Sequence, residues 1–113
     1  MVVRIKEISE TFTFEMTTVR DGRFTISKVI RRKYGDRWNV SFRGWIELTI
    51  EDENGDQLFS GVSRLGRNGM MAGRNDIEKY LGSYKPIRVT IIHYLYGRKH
   101  KIGIKVQKKT DEN

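Results

Sequence analysis

Arg37-Trp38-Asn39-Val40-Ser41-Phe42-Arg43-Gly44-Trp45-Ile46-Glu47-Leu48-Thr49-Ile50-Glu51 alternates between apolar and polar side chains almost without fault. Trp38, Val40, Phe42, Ile46, Leu48 and Ile50 share one parity. Arg37, Asn39, Ser41, Arg43, Trp45, Glu47, Thr49 and Glu51 share the other. A strand sends successive side chains to opposite faces, so this stretch reads as a strand with one core face and one solvated face. Trp45 falls on the solvated face, between Arg43 and Glu47. A large aromatic gains little from folding there. In a chain of net charge +8, it marks a surface able to stack bases and neutralise phosphates.

Turn signals on either side extend the pattern into a β-rich chain. Asp21-Gly22 separates Thr11–Val19 from Phe24–Lys33, and Tyr34-Gly35-Asp36 separates that run from the strand with both tryptophans. Asn54-Gly55 joins Trp45–Glu51 to Gln57–Ser63 as a hairpin, because both residues tolerate the positive φ of a type I′ turn. Gly97-Arg98-Lys99 joins Ile87–Tyr96 to Ile102–Lys108. In the first strand Phe12, Phe14 and Met16 keep the opposite parity to Val3 and Ile5, which a bulge near Ile8–Glu10, or two separate short strands, would reconcile. One helix is expected at Asn75–Leu81, with Asn75 as cap, Glu78 three residues on and Gly82 as stop.

The expected fold is therefore mainly β. It has five or six antiparallel strands and one short helix, arranged as an OB-like barrel or an open curved sheet. Phe24–Lys33, Arg37–Glu51, Gln57–Ser63, Asn75–Leu81, Ile87–Tyr96 and Ile102–Lys108 resemble an OB-fold in element order. No residue motif carries that resemblance. The 113 residues suit one domain over 1–109, followed by a short polar tail over 110–113.

Composition narrows the chemistry. There is no cysteine, so disulfides and thiolate metal sites are excluded. Residues 1–10 carry Arg4, Lys6, Glu7 and Glu10 without the apolar run of a leader. The longest apolar stretch, Ile87–Tyr96, is too short for a membrane helix. A cytoplasmic protein with no membrane partner is expected. Only His93 and His100 are available as bases. His93 lies on the apolar parity of its strand, where a core role is the simpler reading. Glu51-Asp52-Glu53-Asn54-Gly55-Asp56 reads as a charged hairpin turn, not as a magnesium site. No nucleophile or acid-base constellation emerges, so no catalysis, metal or cofactor is expected, with a metal-dependent nuclease using Asp52 as the weaker alternative.

The charge is segregated. Arg20–Trp45 holds eight basic residues against two acids, and Lys85–Lys109 holds eight with no acid. Strand parity turns Arg31 and Lys33 outward from Phe24–Lys33, Arg37, Arg43 and Trp45 from the next strand, and Arg88, Tyr94 and Tyr96 from Ile87–Tyr96. Arg64 and Arg67 sit in a glycine-rich loop whose amides can approach phosphate, and Lys101 lies in the basic turn at 98–101. These residues predict a non-catalytic protein that binds single-stranded DNA or RNA with little sequence specificity. The cations would release counterions, and Trp45, Tyr94 and Tyr96 would stack unpaired bases. The alternative is a structural or interaction protein. Its exposed rings and sheet edge would form a homodimer seam or dock an acidic partner.

Overall fold

The computed structural model describes residues 6–35, 44–65, 71–72 and 77–110. Its strands are β1 (Lys6–Thr17), β2 (Gly44–Glu51), β3 (Gln57–Leu65), β4 (Met71–Ala72), β5 (Pro86–Tyr96) and β6 (Lys99–Lys108). Its helices are α1 (Ser27–Tyr34) and α2 (Ile77–Leu81), and a 3-10 turn lies at Arg20–Gly22. The strands form one sheet in the order β1-β5-β6-β2-β3-β4. Five of them have eight residues or more, and β4 has two. The mainly β expectation holds, in its open-sheet form. β1 and β4 are the sheet edges, so the described strands do not close into a barrel. The expected all-antiparallel pairing holds except at the centre, where β2 and β6 run parallel, with Leu48 beside Ile104 and Ile50 beside Val106.

Both sequence-marked hairpins form. Gly97 and Arg98 connect Tyr96 to its partner Lys99. Gly97 alone of the two has positive φ, at 66°, the pattern of a type II′ turn. The β2–β3 connection differs from the type I′ expectation, because Gly55 takes φ 89° but Asn54 is not in that region. The acidic turn organises itself instead. Asn54 and Asp56 N–H both donate to Asp52 Oδ1 at 2.9 Å.

The main correction concerns Phe24–Lys33, which is not a strand. From Ser27 it is α1. Ile26, Val29, Ile30 and Tyr34 are spaced for one helical face, and Gly35, at φ 62°, returns its N–H to the Arg31 carbonyl at 2.8 Å. A positive φ of this kind suits glycine and ends the helix there. The helix buries Ile26 and Ile30 against Ile46, Leu48, Ile50, Ile87, Val89, Ile91, Ile102, Ile104 and Val106. Helix and sheet therefore form two layers over one core, and among the described residues no helix covers the opposite sheet face.

The expected bulge in β1 is present. Ile8 pairs with Tyr94, but Glu10 pairs with the adjacent His93, leaving Ser9 as the extra residue. A bulge shifts which face a side chain occupies. Beyond it, Phe12, Phe14 and Met16 pack against the core. Before it, Lys6 and Ile8 stand on the open face opposite Tyr96 and Tyr94.

The connection after β1 is tied to the loop after α2. Buried Thr18 donates its hydroxyl to the Gly82 carbonyl and accepts from Lys85 N–H, both at 2.8 Å. Thr18→Val removes both bonds while keeping the shape. It is expected to cost about 1–3 kcal/mol, read as a lower midpoint in chemical denaturation. An unchanged midpoint would mean that water replaces both bonds at no cost.

Candidate nucleic-acid interface

The open face is built by alternation on five strands. Trp45 and Glu47 project from β2 because Ile46 and Leu48 are committed to the core. Tyr94 and Tyr96 project from β5 for the same reason, with Lys101 and Lys99 opposite them on β6. Lys6 and Ile8 join them through the bulge. Arg64 of β3 holds the register position opposite Trp45, and Val62 the one opposite Glu47.

These residues enclose a depression of about 350 Å³, lined by Lys6, Trp45, Glu47, Val62, Tyr94, Tyr96 and Lys101. Trp45 is 70% exposed and Tyr96 42%, while Tyr94 is only 7% exposed. Tyr94 thus forms the floor and Trp45 the open wall. Gly103 lies beside that floor, with room for a small side chain in ordinary contact. A Cβ added there would meet Glu47 Cβ at 3.7 Å and the Tyr94 ring at 3.8 Å.

The charges in the depression are organised. Lys6 Nζ donates to Glu47 Oε2 at 2.7 Å and stands 4.3 Å above the centre of the Tyr94 ring. The hydrogen bond to Glu47 holds the Lys6 ammonium above its ordinary pKa. Burial, and then the nearby Glu47 charge, push the Tyr94 phenol up. Farther along the face Lys105 pairs with Glu51 at 3.4 Å, and Lys109 and Arg88 pair with Glu15 at 2.8 and 3.4 Å. Those two cations draw the Glu15 carboxyl below its usual range, Lys109 more than Arg88. Lys99 and Lys101 have no carboxylate partner among the described residues.

Of the sequence-selected residues, Trp45, Tyr94, Tyr96 and Lys101 meet in one depression, and Arg64 is in register beside it. Arg88 shares the face but lies six residues from Tyr94, about 20 Å along the strand. Arg31 and Lys33 are separated from Trp45 by the sheet, since they belong to α1. There Lys33 pairs with Glu10 at 3.0 Å and holds that carboxyl below its usual range. Arg37, Arg43 and Arg67 lie outside the described residues, as do Asn75 and the glycine-rich stretches at 66–70 and 73–76. Sequence reasoning did not place Lys6, Ile8, Glu47 or Val62 in the site. The bulge in β1 was the signal for the first two.

His93 is buried on the core face, as its parity implied. Its ring stacks on His100, with Nε2 3.0 Å from His100 Nδ1, and meets the Tyr34 ring edge-on. At that separation one imidazole donates to the other, in a direction set by their tautomers. Burial, with help from Glu10, raises the Tyr34 phenol to about 12. Among the described residues no three His, Asp or Glu side chains converge as a metal ion would need, and no helix is long and apolar enough to cross a membrane.

The described strands define an open, mixed β-sheet with an aromatic-lined depression on one face. No family model, curated protein or solved structure matches the chain.

Proposed function

We propose that the open sheet face binds single-stranded nucleic acid without catalysis. The observation that carries this reading is the 70% exposed indole of Trp45 on the open sheet face, sharing its depression with Tyr96, Lys6 and Lys101. An exposed ring stacks an unpaired base whatever its identity, and neighbouring ammonium groups attract the linking phosphates. A duplex hides its base faces, so the surface suits single strands.

A titration of thymidine and uridine 12-mers at several salt concentrations tests the reading. Tryptophan fluorescence in a Trp38→Phe background makes the signal that of Trp45. Three or four engaged cations predict a log K versus log salt slope of about −2 to −3. A flat salt dependence would remove the electrostatic half of the proposal.

The exposed Ile8 and Val62, at 65% and 53%, favour a second reading, in which the face is a homodimer seam. A two-fold seam places one patch against its own copy. That would bring Lys99 and Lys101 of both copies into the same contact, and like charges oppose it. A blue shift of the fluorescence with rising protein concentration, without oligonucleotide, would favour the seam.

A further inference from the structure

Among the described residues Glu47 is the one carboxylate lining the depression, and it is the wrong charge for a phosphate. Anything bound beside it must offer hydrogen-bond donors. Its Oε2 is oriented by Lys6 at 2.7 Å, while Oε1 has no hydrogen-bond partner among the described residues. Trp45 and Glu47 stand on the same face of one strand, two residues or about 6.6 Å apart, a spacing comparable to the width of a nucleobase. A base lying on the indole therefore turns an edge toward an acceptor-only group.

The nucleobases differ in what that edge presents. Guanine offers two adjacent donors, N1–H and N2–H₂, which match the two oxygens of a carboxylate. Adenine and cytosine each offer one amino group. Thymine and uracil flank their single N–H with two carbonyl oxygens that a carboxylate repels. We propose that Glu47 selects guanine, accepting from N1–H and N2–H₂ while the base stacks on Trp45. The inference rests on the nucleic-acid reading above and gives that surface a preference which stacking alone does not supply.

Three thymidine 9-mers test it, with guanine, inosine or thymine at the central position. A lone guanine cannot form quartets, and inosine keeps N1–H but lacks the N2 amino group. Titration against the Trp38→Phe protein is expected to rank guanine above inosine above thymine, with about tenfold between the extremes. Glu47→Gln keeps the size of the side chain but adds a donor where guanine also donates, so the three affinities should converge to within about twofold. Lys6→Met breaks the same ion pair but keeps the carboxylate. It should weaken all three oligonucleotides and preserve the ranking. Equal affinities for the parent protein, or a ranking untouched by Glu47→Gln, would overturn the role of Glu47 and leave the nucleic-acid reading standing. Failure of all three oligonucleotides to bind would overturn both.

Discussion

Trp45→Ala is expected to weaken binding of a short thymidine oligonucleotide by about 5- to 150-fold, the equivalent of one stacked base at about 1–3 kcal/mol. Because the indole is mostly exposed, the same change should move folding stability by no more than about 0.5 kcal/mol. The two readouts together make the result specific, since a loss of binding with the melting temperature intact cannot be a folding defect. Trp45→Phe should retain part of the affinity, because a smaller ring still stacks. Anisotropy of a labelled oligonucleotide measures both variants without relying on the indole itself. Undiminished affinity in Trp45→Ala would remove the stacking wall from the mechanism and turn attention to the seam.

The largest effect on stability is expected at Ile91. It is fully buried in β5, between Phe12 on β1 and Ile104 on β6 in the pairing register. Ile91→Ala leaves a cavity that sheet neighbours on both sides cannot readily close. The expected cost is about 2–5 kcal/mol, a large share of the roughly 5–15 kcal/mol that holds a small domain together. Calorimetry should show a melting temperature lower by about 10–25 °C. A loss below about 1 kcal/mol would mean that the layers collapse onto the void, and that the core under α1 is looser than its burial implies.

The sequence and the structure agree where the signal is local. Alternation placed Ile46, Leu48 and Ile50 inside and Trp45 outside, and the parity conflict in β1 located its bulge. Phe24–Lys33 misleads because Phe24, Ile26 and Ile30 satisfy a two-residue period, while Ile26, Val29, Ile30 and Tyr34 satisfy a helical one. Gly35 directly after Tyr34 was the deciding cue. That single misreading also put Arg31 and Lys33 on the wrong side of the sheet. The parallel β2–β6 pairing leaves no local trace, since nothing in either strand names a partner 56 residues away. The site was legible in its wall, Trp45, and in Tyr96 and Lys101. Lys6 and Ile8 were hidden because their facing depends on the residue the bulge inserts. Tyr94 was legible as outward-facing, but its burial under Lys6 depends on a strand distant in sequence.

The parallel join at the centre has a kinetic consequence. β6 lies in the middle of the sheet yet is the last strand in chain order. The two hairpins, β2–β3 and β5–β6, close over short loops and can nucleate early. Docking one on the other spans a long separation and must come late. During synthesis, the earlier strands emerge from the ribosome before the ribbon that unites them, so the edges of β2 and β5 that pair with β6 have no partner strand until residues 99–108 arrive.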